Sequence, residues 1–174
     1  MEISKNFFVT GISGTGKTTI AKELSKRGVK TVSIDEEPGL CVWKNKITGE
    51  VIGYDVILDQ SFIEAHDWVC DVDKLKELMG KNGVVVLGMA SNQDDFLGLF
   101  DEIILLQCRP EIFMQRIDQR IDNDFGKDES AKAEILSWYE KFESNVCNNG
   151  AAIVNVEFPL EDVVQSIINI ISIK

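Results

Sequence analysis

The sequence predicts an α/β fold, a three-layer sandwich on a mostly parallel sheet, and three observations carry that reading. Short apolar runs alternate with segments of helical spacing along the whole chain. The first run meets a glycine cluster and then a helical pattern, the order of a strand, a tight loop and a helix. Val84-Val-Val-Leu-Gly88 is β-branched and apolar without alternation, as expected of a strand covered on both faces. With 174 residues, 44% of them hydrophobic and 27% charged, a single domain over residues 1–174 is expected.

Taken in order, Asn6 to Thr10 is the first strand, and the helix that follows carries Ile20 and Leu24 on one face. Lys30 to Ile34 is a second strand, ending at Asp35. Between Glu36 and Asp73 the pattern weakens. There Leu40 to Lys44 and Glu50 to Tyr54 are expected to pair across Asn45 to Gly49, and Val56 to Trp68 has helical spacing. Val72 to Lys81 reads as a short helix, Glu102 to Gln107 as a strand, and Glu111 to Ile121 and Ala131 to Val146 as helices around a polar loop. Ala152 to Val156 is a fifth strand, and Leu160 to Ile173 a closing helix with Val163, Val164, Ile167, Ile168 and Ile171 on its apolar side.

Composition narrows the function classes. A net charge of -11 opposes long-range attraction to nucleic acid or to anionic lipid, so neither partner is expected. The start of the chain has no signal-peptide pattern and no run of about 18 apolar residues occurs, which implies a soluble, cytoplasmic protein. Cys41, Cys70, Cys108 and Cys147 are far apart in sequence and read as reduced thiols filling apolar space.

The most specific signal is Gly11-Ile-Ser-Gly-Thr-Gly-Lys-Thr18, a full G-x-x-x-x-G-K-[ST] phosphate loop between a predicted strand and a predicted helix. Gly11, Gly14 and Gly16 free the backbone so that the amides of the loop, Ser13 and Thr15 included, turn inward around phosphates. The first turn of the next helix adds its amides and positive dipole end. Lys17 is expected at the β and γ phosphates, Thr18 on magnesium, and Thr19 near the α phosphate. ATP is favoured over GTP because no Asn-Lys-x-Asp guanine-reading segment is present.

Asp35 ends an apolar strand, and ligands of open α/β sheets bind at the carboxyl ends of strands. It is a candidate to hold magnesium or to accept a proton from an attacking hydroxyl, with a loop cap as the plainer alternative. Arg116 and Arg120 lie four apart, on one helix face. Their planar forks suit phosphate, although composition alone favours pairing with Asp118, Asp122 or Asp124 in solvent.

This succession of strand, phosphate loop, strand ending in Asp, apolar strand and R-x-x-x-R before a short loop resembles the nucleoside monophosphate kinase and shikimate or gluconate kinase superfamily. The resemblance covers nearly the whole chain. It implies five parallel strands in the order 2-3-1-4-5, Arg116 against the adenine, Arg120 at the transferring phosphate, and Ile121 to Asp128, with Lys127, as a short lid. Residues 36–73 then form the acceptor region.

That region departs from the monophosphate kinases. No Arg lies between Arg27 and Arg109, whereas Glu36, Glu37, Glu50, Asp55, Asp59, Glu64, Asp67 and Asp71 make it acidic. Gly88 ends its strand where many of those kinases carry Asp. A monophosphate or a carboxylate acceptor is thus disfavoured, and a neutral or cationic hydroxyl compound is expected. Trp43, His66 and Asn92 are candidate acceptor contacts, with Trp68 in the same region, although the plainer reading has both Trp residues covering core edges and His66 as a surface or capping residue. The expectation is an ATP- and magnesium-dependent kinase for a small hydroxyl acceptor, monomeric or homodimeric. An ATPase switch that docks a protein and a monophosphate kinase with an atypical clamp are the rivals.

Overall fold

The computed structural model describes residues 2–53, 58–81, 83–121 and 125–172. Five strands form the central sheet: β1 (Phe7–Thr10), β2 (Thr31–Ser33), β6 (Val85–Leu87), β7 (Glu102–Gln107) and β8 (Ala152–Asn155). Their spatial order is β2-β6-β1-β7-β8 and every pairing is parallel. Counting only these strands, this is the expected 2-3-1-4-5.

Alternation along the central strands divides the core between the two faces of the sheet. Phe7, Val9, Val85, Leu87, Ile104 and Leu106 point to one side, where they meet Ile20 and Leu24 of α1 (Lys17–Lys26) and Phe113 and Ile117 of α4 (Pro110–Gln119). The same side receives Ile135 of α5 (Glu129–Asn148) and Val163, Val164, Ile167 and Ile171 of α6 (Leu160–Ile171). Phe8, Val32, Ile34, Val84 and Val86 point to the other side, onto Leu75 and Met79 of α3 (Val72–Met79) and onto Phe96. Each such side chain fully withdrawn from water contributes roughly 1.5–3 kcal/mol, which is why both faces of this sheet must be covered.

Local chemistry sets the helix ends. The Asp71 side chain accepts from the amides of Asp73 and Lys74 to start α3, and Gly80 ends it at φ 67°. Pro110 opens α4, where a missing amide hydrogen costs nothing. Asp128 caps α5 through the Ser130 amide.

A second, antiparallel sheet occupies the acceptor region: β3 (Cys41–Asn45) lies between β4 (Val51–Ile52) and β5 (His66–Cys70). The expected pairing across Asn45 to Gly49 forms, with Trp43 opposite Ile52, while Tyr54 lies outside the described residues. The expected helix from Val56 to Trp68 does not form as such. Val56 is outside the described residues, the helix α2 spans only Gln60–Ala65, and His66–Cys70 is strand. Asp59 starts α2 by accepting from the Phe62 amide, and β5 is then taken up by the full length of β3. Pairing with a strand some 25 residues earlier outweighs local helical spacing.

That pairing also changes the picture of the cysteines. Cys41 and Cys70, distant in sequence, stand directly opposite each other on β3 and β5, both buried. None of the four cysteines is in a disulfide, and Cys108 is buried as well, its thiol pushed up to about 11 by loss of water.

Candidate active site

The site is a single cleft of about 1230 Å3 along the carboxyl ends of the parallel strands. The phosphate loop leaves β1 and enters α1, lining the cleft from Ser13 to Thr19. Gly14 and Gly16 adopt left-handed torsions, φ 87° and 90°, as the turn requires. Gly11 does not; its reason is proximity, because a Cβ there would sit 2.6 Å from the Leu106 carbonyl oxygen on β7. Gly14 combines both constraints, since a Cβ would meet the Phe113 carbonyl oxygen of α4 at 2.5 Å. Thr15 is buried and its hydroxyl donates to the Ile12 carbonyl at 2.7 Å, bracing the loop from within.

The Lys17 ammonium donates to the carbonyls of Gly11 at 2.7 Å and Ile12 at 3.1 Å, so it is folded over the loop. Burial pushes its pKa below the ordinary lysine value; Asp35 opposes that fall and Arg120 adds to it. Asp35 lies two residues beyond the end of β2 rather than at its last residue. It is solvent-accessible, yet enough protein surrounds it that desolvation raises its pKa, against the pull of Lys17 and of a hydrogen bond from Trp68. Both shifts are led by burial, the cause that moves an acid and a base in opposite directions.

Arg120 ends α4 and donates to the Ser13 hydroxyl at 3.1 Å and to the Phe125 carbonyl. Arg116 reaches across to donate to the Val156 carbonyl at 2.7 Å, just beyond β8. Both line the cleft. Asp118 pairs with Lys132 at 2.7 Å, and Asp122, Asn123 and Asp124 of the expected lid from Ile121 to Asp128 lie outside the described residues. Trp138, Phe142 and Val156 line the cleft as well. Sequence reasoning treated these only as parts of a helix and a strand; the four-residue spacing of two aromatics on α5 was the available signal.

The opposite wall is the small sheet. Trp43, His66 and Trp68 line the cleft, joined by Lys46, Asp67, Ser91, Gln93 and Asp94. Asn92 is used elsewhere: its Oδ1 accepts from the Cys70 amide at 2.9 Å and its Nδ2 donates to the Cys70 carbonyl at 3.1 Å, so it extends the edge of β5. Much of the acidity counted in sequence is also spent on structure. Asp59 and Asp71 are helix caps and Glu36 pairs with Lys22 at 2.8 Å, while Asp55 lies outside the described residues. Asp35, Asp67 and Asp94 are the carboxylates of this region that face the cleft.

Gly88 explains why the carboxylate sits at Asp35. A Cβ at Gly88 would lie 2.5 Å from the Ile34 Cβ, so no Asp fits just past the end of β6, and the acid follows the adjoining strand, next to Ile34. For magnesium, the Thr18 hydroxyl and the Asp35 carboxylate are hard oxygen donors on one cleft, a set that fits an ion which keeps most of its waters. The described residues contain no cluster of three or more His, Cys, Asp or Glu for a metal held by protein alone.

The fold, the loop and the cleft define a P-loop nucleotide-binding domain with a kinase-like fold. A family model described as an AAA domain matches residues 8–137, and the chain belongs to that family. A protein of Methanocaldococcus jannaschii named "Putative adenylate kinase" is 34% identical over 74% of this chain and 66% of its own. A UPF0200 protein of Thermococcus onnurineus is 30% identical over 67% of this chain and 68% of its own. The chain therefore spans about two thirds of the length of these relatives. Among solved structures, shikimate kinase from Acinetobacter baumannii in complex with shikimate superposes with a TM-score of 0.58 at 18% identity, covering 98% of this chain and 94% of that one. At that identity the likeness speaks to the fold. No described helix is long and apolar enough to cross a membrane.

Proposed function

We propose that this protein is an ATP-dependent, magnesium-assisted kinase that phosphorylates a hydroxyl of a small acceptor without strong negative charge. The observation that carries the reading is the shape of the cleft. One continuous space of about 1230 Å3 has the phosphate loop, Arg116 and Arg120 on one side and Trp43, His66 and Trp68 on the other, with Lys17 and Asp35 among its lining. Ligand pockets for one drug-sized molecule run to about 1,000 Å3, so this cleft has room for a nucleotide and a second molecule.

In this reading the loop amides and Lys17 hold the β and γ phosphates of ATP, and Arg116 packs against the base. Arg120 meets the transferring phosphoryl group, where a planar fork offers several hydrogen bonds at once. Thr18 and Asp35 would hold magnesium, which supplies charge neutralisation at the phosphates. Asp35 also faces the acceptor side, where a carboxylate orients the attacking hydroxyl and takes its proton. Catalysis comes from positioning and charge balance, the usual case for phosphoryl transfer.

A monophosphate kinase is the second reading, and the 34% identity to the protein named "Putative adenylate kinase" favours it. Against it, Lys46 is the one Lys or Arg outside the donor half that lines the cleft among the described residues, and its ammonium is already engaged by the carbonyls of Ile63 and Glu64. An ADP-release screen of nucleosides, monophosphates, sugars and polyols against a no-acceptor baseline separates these readings. Stimulation by a neutral or cationic alcohol with AMP, CMP, UMP and GMP near baseline supports the first. Rapid turnover of one monophosphate installs the second, and stimulation by a protein alone points to an ATPase switch.

A further inference from the structure

We infer that the acceptor carries a planar, uncharged ring bearing a hydroxylated substituent, as a nucleoside does, and that Trp43 and Trp68 form the wall on which that ring stacks. The inference deepens the kinase reading by naming the acceptor class, and it rests on that reading for the transfer step.

Trp43 and Trp68 are directly opposite each other on β3 and β5, and two residues further on Asn45 faces His66. In a pleated sheet these pairs share one face. The two indoles are 5.1 Å apart between ring centroids and tilted by 49°, and the Phe62 ring meets Trp43 edge-on at 5.4 Å. Phe62 is in turn stacked on His66 at 4.1 Å, and the imidazole is fastened to the Phe62 carbonyl through Nδ1 at 2.8 Å. The wall is thus built and braced, with side chains that have little freedom left to lose on binding.

Packing alone does not account for it. Trp68 leans on the buried cluster beneath the sheet, whereas Trp43 is in neither of the two core clusters among the described residues. It is half-buried and lines the cleft instead. The rim argues for an uncharged ligand: Asp67 and Asp94 disfavour an anion, and the Lys46 ammonium is turned to backbone carbonyls and, at 3.9 Å, to Asp67. Two indoles in mutual contact make a continuous surface, unlike the opposed walls that enclose a quaternary ammonium. Gln93 and the Ser91 hydroxyl, which accepts from the Trp68 amide at 3.1 Å, stand on the same cleft as hydrogen-bonding groups for a ring edge. The Trp68 indole N–H donates to Asp35 Oδ1 at 3.2 Å, which places the stacking wall beside the carboxylate that would receive the acceptor's hydroxyl.

The test is calorimetric titration of adenosine, cytidine and inosine, and separately of xylitol, gluconate and choline, into the full chain saturated with ADP and magnesium. Wild type, Trp43→Ala and Trp43→Phe are compared. The expected result is binding of at least one nucleoside and of none of the non-planar compounds. Trp43→Ala should weaken the nucleoside by roughly five- to 150-fold, the range of base stacking on aromatic side chains, while Trp43→Phe restores most of it and the ADP affinity is unchanged in all three. Equal nucleoside affinity in Trp43→Ala, or tight binding of a non-planar alcohol with no nucleoside bound, overturns the inference. If nucleosides bind through Trp43 and no phosphate is transferred to them, the stacking wall stands and the kinase reading falls. If phosphate passes to a non-planar alcohol, the kinase reading stands and the wall falls.

Discussion

The indole of Trp68 donates to the Asp35 carboxylate at 3.2 Å, tying the antiparallel sheet of the acceptor region to the carboxyl end of the parallel sheet. Removing the donor while keeping a ring, in Trp68→Phe, leaves Asp35 without this anchor. A hydrogen bond to a charged group is worth about 1.5–3 kcal/mol, so acceptor-dependent kcat/KM should fall by roughly ten- to 150-fold. ATP affinity, measured by titration, should stay within about twofold of wild type. Loss of ATP affinity in step with kcat/KM would show that Asp35 serves the donor side alone.

Lys17→Ala removes a cation that burial has made costly, together with its two bonds to the Gly11 and Ile12 carbonyls. These effects oppose each other, so the melting temperature should move little. Affinity for ATP with magnesium should drop by about tenfold or more, because a charge-assisted contact to phosphate has no substitute in water. A folded variant with wild-type affinity and turnover would dismiss the phosphate-loop assignment.

Arg120 donates to Ser13, a residue of the phosphate loop, so its guanidinium is already at the donor site. Arg120→Lys retains charge and loses the fork; it should lower kcat nearly as far as Arg120→Ala, with KM for ATP changed much less. Wild-type kcat in both variants would return Arg120 to a structural role.

Gly88→Ala tests the close approach of β6 to Ile34, where the added Cβ would lie 2.5 Å from the Ile34 Cβ. Overpacking of this kind costs typically about 1–3 kcal/mol, read as a lower denaturation midpoint. Because Asp35 follows Ile34, acceptor-dependent turnover should fall further than the stability loss alone would cause.

Glu143 carries a pH dependence of its own. It accepts from Gln107 Nε2 at 2.6 Å, and burial raises its pKa above the ordinary glutamate value of 4.5 despite that bond. A carboxyl whose folded pKa exceeds its unfolded one binds more protons when folded, so stability declines as pH rises from the unfolded value through the folded one. Glu143→Gln keeps an acceptor for Gln107 and removes the charge. Thermal melts should show it more stable than wild type near pH 7, with the advantage vanishing below about pH 4, where both side chains are neutral.

The parts legible in sequence were those with local causes. The phosphate loop is readable because its chemistry demands glycines and a lysine at fixed offsets, and the parallel strands because burial on both faces leaves unbroken apolar runs. The role of Gly11 was misread as torsional; its cause is a carbonyl on β7, some 95 residues away. The strand at His66–Cys70 was hidden for the same reason, since its partner is β3 and its own spacing is compatible with a helix. Asn92 looked like a ligand contact because an exposed amide after a strand has no local assignment, and the backbone of Cys70 that it binds is invisible in one dimension. Trp43 could be named as a candidate, but only cross-strand register puts Trp68 beside it.

Gly14 rests against the Phe113 carbonyl, and Phe113 belongs to the helix that carries Arg116 and ends at Arg120. The phosphate loop and the helix that carries Arg116 are consequently one mechanical part. A substitution that tilts α4 is transmitted to the loop through this contact, so affinity and rate cannot be tuned independently from within that helix. The acceptor wall is carried on a separate sheet. Exchanging residues there is the route by which this scaffold can change what that wall binds while leaving the phosphate loop untouched.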